Sequence, residues 1–163
     1  MRTFLRTFGL GVLLTVSAGA LAAGNAADQV AVDGPYVRAV PPGQPNSAAF
    51  MTLRNAGNAG HAVVAAAGRV AKVVELHTHT MVNGMMKMRR IPRIDVAANS
   101  STELKPGGLH IMLIDLTRPL RVGDTVALTL KFADGSEKHI EAPVRTIADS
   151  MSMGQGMGGN MHR

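Results

Sequence analysis

The sequence predicts a single all-β domain, a sandwich or barrel, and three observations predict it. Short apolar runs follow one another through the middle of the chain, turn residues separate them at close intervals, and no segment sustains a helical period. At 163 residues the chain has the length of one domain.

The first 26 residues stand outside that domain. Arg2 and Arg6 supply positive charge, an apolar run follows from Phe8 to Leu21, and small residues close the segment at Ala20–Ala26. A charged start, an apolar centre and an A-x-A exit read as a secretory signal peptide, with cleavage expected after Ala22, Ala23 or Ala26. The run is shorter than the roughly 20 residues a membrane span needs. The sequence contains no cysteine, so neither a lipid-modified N-terminus nor a disulfide is expected. The expected location is the bacterial periplasm.

The strand candidates of the domain, residues 27–146, come in order. Val30–Val32 and Tyr36–Val40 lead to Pro41-Pro42-Gly43, and Ala48–Leu53 ends at Asn55-Ala56-Gly57. His61–Ala66, Val73–Met81, Met85–Arg90, Arg93–Val96 and Thr102–Leu104 follow, then Leu109–Leu113, Thr125–Phe132 and Lys138–Val144. Gly34-Pro35, Asn83-Gly84, Pro106-Gly107-Gly108 and Asp134-Gly135 punctuate them. A single helical turn is allowed around Ala67–Lys72. Residues 147–163 are Gly- and Met-rich without apolar periodicity, and read as a mobile tail. Gly154, Gly156 and Gly159 fit G-x-G-x-x-G, but with no strand before them and no helix after, a dinucleotide site is rejected.

Composition removes several functions. Lys and Arg number 17 against 11 Asp and Glu, and two arginines lie in the signal segment, leaving 15 − 11 = +4. With one Tyr, four Phe and no Trp there is no stacking platform, so no nucleic-acid partner is expected. The chain lacks G-x-S-x-G, H-E-x-x-H and any thiol nucleophile, so an enzyme is not expected. The anomaly is eleven Met and six His in a chain poor in aromatics.

Their placement points to chemistry. Asn83-Gly84 is a strong signal for a two-residue hairpin turn, which sets 82 opposite 85, 81 opposite 86, 80 opposite 87 and 79 opposite 88. Alternation then puts His77, His79 and Met81 on one face with Met86 and Met88, and Met88 directly opposite His79. His110 and Met112 share a face of a later strand, with Ile111 and Leu113 turned to the core. Met85 faces away and is expected to pack. Met51, His61 and His139, taken singly, read as core filler or hydrogen-bonded surface residues. Lys87, Arg89 and Arg90 read as a solvated face.

Thioether sulfur is a soft neutral donor that favours Cu(I) over Mg²⁺, Ca²⁺ or Mn²⁺. Zinc sites draw on Cys, His and carboxylate instead. A blue-copper centre needs a thiolate, which this chain lacks.

The spacing resembles that of the PCuAC copper chaperones: His, ten residues, Met, twenty-one residues, then His-x-Met. Here His77, Met88, His110 and Met112 meet both gaps, whereas His79 does not, because Arg90 stands ten residues beyond it. Val37-Arg38-Ala39, Pro41-Pro42-Gly43, Glu75-Leu76-His77, Leu104–Gly108 and Gly123-Asp124-Thr125 extend the resemblance across the domain. It implies a cupredoxin-like Greek-key β-sandwich holding one Cu(I) on His77, Met88, His110 and Met112. His79, Met81 and Met86 are auxiliary candidates. It implies a monomer delivering copper to the dinuclear centre of cytochrome c oxidase subunit II, with a Sco-type assembly protein as a further partner. Met151, Met153, Met157, Met161 and His162 look like the Met/His-rich extension of some relatives, which is associated with a second copper. Storage of copper through the same ligands is the alternative role.

Overall fold

The computed structural model describes residues 24–146 and residue 148. Residues 1–23, most of the expected signal peptide, and nearly all of the Met-rich tail lie outside the described residues. Ten strands and one short helix make up the rest: α1 (Ala26–Gln29), β1 (Val30–Arg38), β2 (Ser47–Asn55), β3 (His61–Ala67), β4 (Ala71–Val82), β5 (Met85–Arg90), β6 (Ile94–Val96), β7 (Ser100–Leu104), β8 (His110–Leu116), β9 (Thr125–Phe132) and β10 (Glu137–Arg145). The all-β expectation holds.

The strands run side by side in the order β5-β4-β8-β2-β1-β10-β9-β3-β6, with β7 also paired to β2. One half carries β5, β4, β8 and β2, the other β10, β9, β3 and β6, and the parallel pair β1–β10 joins them at Val37↔Val144. The path curls so that the inner faces of both halves share one core. Leu76, Ile111 and Leu113 meet Leu128, Leu130 and Phe132 there, all within a few per cent of complete burial. Each such side chain contributes about 1.5–3 kcal/mol relative to exposure.

β1 unites the two runs Val30–Val32 and Tyr36–Val40. Its pairing with β2 shifts register between Asp33 and Tyr36, where Gly34 adopts φ +53° and Pro35 has no N–H to give. The chain bends through that irregularity instead of breaking.

Two expectations are corrected. The helical turn at Ala67–Lys72 is absent: Ala67 ends β3, a turn follows, and Ala71 already opens β4. Gly68 packs tightly on Leu128, and Val70 and Ala71 are buried, so the segment works as a tight connection between strands. A helix lies instead at Ala26–Gln29, capped by the Asn25 side chain accepting from the Asp28 N–H. Ala26 is buried, and its N–H donates to Asp134 Oδ2 at 2.7 Å. The second correction concerns Met85, which does not pack: it is 59% exposed, and every other residue of β5 is exposed too.

Candidate metal centre

Asn83 and Gly84 have φ +51° and +76°, the paired positive values of a type I′ turn. That turn fixes the β4–β5 register as expected, with His79↔Met88, Met81↔Met86 and Val82↔Met85. On its other side β4 pairs with β8, and His77 stands directly opposite His110 while Glu75 stands opposite Met112. Side chains alternate along each strand, so one face gathers His77, His79, Met88, His110 and Met112, with Glu75 among them. The intervening residues Leu76, Ile111 and Leu113 point into the core. All four spacing-matched residues therefore sit on three adjacent strands.

A row of side chains crosses this face. Arg90, His77 and His110 are consecutive cross-strand neighbours, Phe50 lies next on β2 with its ring 6.3 Å from that of His110, and Tyr36 follows on β1. The rings of Tyr36 and Phe50 lie 5.2 Å apart. This aromatic backing buries His110 to 2% exposure. His77 is half-buried, Met112 is half-buried, and Met88 is 46% exposed. Imidazoles form the floor of the site and thioethers its rim.

Hydrogen bonding fixes the tautomers. His77 Nε2 lies 2.8 Å from Glu75 Oε2, and His110 Nδ1 lies 3.0 Å from the Gly108 carbonyl. An ionised carboxylate and a carbonyl only accept, so these two nitrogens carry the protons. The other nitrogens, His77 Nδ1 and His110 Nε2, are buried and have no hydrogen-bond partner. Burial pushes the His110 imidazolium pKa below 6.5, opposed by the Gly108 hydrogen bond and reinforced by the neighbouring His79, His77 and Arg38. Burial thus favours the uncharged ring, whose Nε2 has no hydrogen-bond partner. Leaving a buried polar atom unpaired costs about 1–3 kcal/mol, and two such atoms on facing strands call for a ligand.

Local turns place these groups. In Lys105–Gly108, Pro106 precedes Gly107 at φ +80°, and Gly108 N–H donates to the Lys105 carbonyl at 3.0 Å. Pro followed by a positive-φ Gly is the chemistry of a type II turn. It delivers the Gly108 carbonyl to His110 at the start of β8.

Three further groups contact these rings. Glu75 stands in the sequence only in a flanking run, although the i, i+2 rule puts it on the His77 face. The Gly108 carbonyl and the Phe50 ring reach His110 only through strand pairings that no local signal encodes. Arg90, read as solvated, also lies on this face, with Nε 3.5 Å from Glu75 Oε1. Of the auxiliary candidates, His79 sits inside the cluster, its ring 5.1 Å from that of His110. Met81 and Met86 share the face but lie farther toward the hairpin tip, 64% and 58% exposed. The remaining His read as bland are so: His61 Nε2 bonds Gln29 Oε1 at 3.0 Å, and His139 Nδ1 bonds Thr129 Oγ1 at 2.9 Å. Met51 is core, at 3% exposure. Met151, Met153, Met157, Met161 and His162 lie outside the described residues.

Comparison with known proteins shows the family and the fold. The family described as "Putative lipoprotein LpqE-like" matches residues 30–144. Lxx21020 of Leifsonia xyli subsp. xyli is 35% identical over 139 residues, covering 85% of this chain and 82% of its own. Among solved structures, Cu(I)-bound DR1885 from Deinococcus radiodurans is 39% identical, with a TM-score of 0.61, covering 72% of this chain and 79% of its own. Its apo form covers 90% of this chain and 97% of its own at 35% identity, with a TM-score of 0.59. The copper-bound PCuAC domain from PmoF2 shares the fold at 22% identity and a TM-score of 0.63, covering 75% of this chain and 97% of its own. The fold is cupredoxin-like. On sequence and structure together, this chain belongs to the LpqE-like, PCuAC-type family.

Proposed function

We propose that the protein is an exported copper chaperone carrying one Cu(I) on His77 Nδ1, Met88, His110 Nε2 and Met112. The observation that carries this reading is the pair of buried, unpartnered imidazole nitrogens on facing strands, with thioethers on the rim above them. Two neutral imidazoles and two thioethers form a soft, uncharged donor set that suits Cu(I). The resemblance to Cu(I)-bound DR1885 supports the same cargo.

The residues divide the work. Glu75 and the Gly108 carbonyl hold the two rings in the tautomers that bind metal, an outer-shell role. The core beneath β4 and β8 keeps those strands in register. Met88 stands on β5, an exposed edge strand, and is free to yield its place to an incoming ligand. Copper then passes by ligand exchange at the rim while the imidazoles retain it at the floor. The recipient in this reading is the dinuclear copper centre of cytochrome c oxidase subunit II, with a Sco-type protein assisting. The accessible rim favours delivery over storage. Met151, Met153, Met157, Met161 and His162 in the tail would take a second copper and raise its local concentration near the main site.

Anaerobic titration with Cu(I) against a competing chelator tests the site. One tight equivalent is expected in the parent, weakened in His77→Ala, Met88→Ala and His110→Ala. Equal binding in all four proteins would mean that the cluster is packing. In cells, deletion of the protein is expected to lower oxidase activity; loss of copper tolerance with oxidase intact would assign storage instead.

A further inference from the structure

The strand order has two ends, and they are finished differently. At one end β6 is three residues long, Ile94 and Val96 are buried, and Arg93 pairs with Asp95 at 3.0 Å. At the other end β5 is six residues long and exposed throughout, with β4 on one side of it. We propose that β5 is a docking edge, and that an extended acidic segment of a partner protein adds to it as a further strand. This edge is defined by backbone geometry and charge, whatever the neighbouring face binds.

A two-residue type I′ hairpin closes with a hydrogen-bonded pair, and bonded pairs then alternate with open ones. Val82↔Met85, Thr80↔Lys87 and Thr78↔Arg89 are therefore the bonded pairs of β4 and β5. The bond from the Ile91 N–H to the Leu76 carbonyl at 2.9 Å continues the same alternation. The N–H and C=O groups of Met86, Met88 and Arg90 consequently point away from β4. Among the described residues no strand pairs with that side of β5. An open row of this kind is a template for another strand.

Charge decides which strand fits. Lys87 and Arg89 share one face of β5 with Met85, while Met86, Met88 and Arg90 share the other. Arg90 has Glu75 beside it at 3.5 Å, whereas no carboxylate among the described residues pairs with Lys87 or Arg89. Antiparallel pairing of two copies about Met88 would set Lys87 against Arg89, and like charges directly opposite are destabilising. The cations that repel a second copy attract carboxylates. The fitting strand alternates, with acidic residues beside Lys87 and Arg89 and apolar ones beside the exposed Met86 and Met88. It would satisfy the outward backbone groups, neutralise the two cations and cover the exposed thioethers together.

The test adds a blocked peptide of alternating Glu and Val, as long as β5, to the isotope-labelled full chain and follows backbone amides by NMR. One control peptide has the same composition with all Glu before all Val, and a second carries Lys in place of Glu. The alternating acidic peptide is expected to bind and to slow amide exchange at Met86, Met88 and Arg90. Met85, Lys87 and Arg89, already bonded to β4, should change little. Lys87→Glu combined with Arg89→Glu should weaken the acidic peptide roughly tenfold or more and turn the preference to the Lys peptide. Amide positions outside β5 should stay at the parent's, which shows that the variant is folded. No binding at millimolar peptide, equal binding of the unalternated control, or binding without slowed exchange at Met86, Met88 and Arg90 would each overturn the proposal. Self-association of the protein with those same amides protected would overturn it too and assign the edge to a second copy.

Discussion

His61 and His139 stand in one half of the β-sandwich, His77 and His110 in the other, and the two pairs are treated differently by their surroundings. On β3, His61 spends a ring nitrogen on Gln29; on β10, His139 spends one on Thr129 at the surface. His77 and His110 also each have one partner, but their second nitrogens are buried with none. A surface imidazole passes its spare nitrogen to water at no cost. A buried one does not, and among the described residues the fold accepts the penalty only on the face where methionines gather. In the proposed reading, what marks a metal-binding histidine is the unmet hydrogen bond, and residue identity alone does not reveal it.

The contrast is sharpest in copper affinity. Alanine at His77 or His110 removes a ligand and is expected to weaken Cu(I) binding by more than the roughly 10- to 100-fold that loss of an outer-shell partner costs. Alanine at His61 or His139 should leave binding at the parent level, and a loss there would break the distinction. Glu75→Ala comes next. It leaves all four ligands in place but frees His77 to rotate and change tautomer, with an expected loss of about 10- to 100-fold in the same titration. Nitrogen NMR of the His77 ring would register the tautomer change even before copper is added.

The third effect concerns stability without metal. If the buried His110 Nε2 carries an unpaid penalty, then His110→Leu should raise the stability of the copper-free protein by about 1 kcal/mol, read by chemical denaturation. The same change at His139 should give no gain. A destabilised His110→Leu variant would show that the ring is needed for packing against Phe50.

The smallest effect lies at the opposite end. Hydrogen bonds from Ser136 and from the Ala26 N–H hold the Asp134 pKa down to about 2, from 3.8. A depressed carboxylate contributes stability that is full above 3.8 and is lost as pH falls through about 2. Asp134→Asn should therefore differ from the parent near neutral pH, and the difference should shrink as denaturation is repeated toward pH about 2. Copper affinity should not follow this change, because Asp134 is remote from the β4–β8 face.

Much of the site was legible because its central piece is local. Asn83-Gly84 fixes a turn, the turn fixes a register, and the register puts Met88 against His79. The i, i+2 rule did the same for His110 and Met112. What remained hidden is long-range. Nothing in residues 71–90 says that β8 will pair with β4, so the direct apposition of His77 and His110 emerged only in the fold. The Ala67–Lys72 turn failed for a related reason: short apolar residues there suit a helix locally, while tertiary packing of Gly68 against Leu128 demands a strand connection. Met85 was misplaced because alternation assumes that both faces of a strand are covered. β5 is an edge beyond the core, so neither of its faces is.

The small helix at the start of β1 bears on maturation. Asn25 caps it, Ala26 fills a buried niche, and the Ala26 N–H is tied to Asp134 across the molecule. Trimming after Ala22 or Ala23 would leave this clasp whole. Trimming after Ala26 would take away both cap and plug, and would place a charged amine on Ala27, whose N–H meets the Ser136 hydroxyl at 3.0 Å. If the signal peptide expected from the sequence is removed, a start after Ala22 or Ala23 would keep the clasp, and one after Ala26 would not.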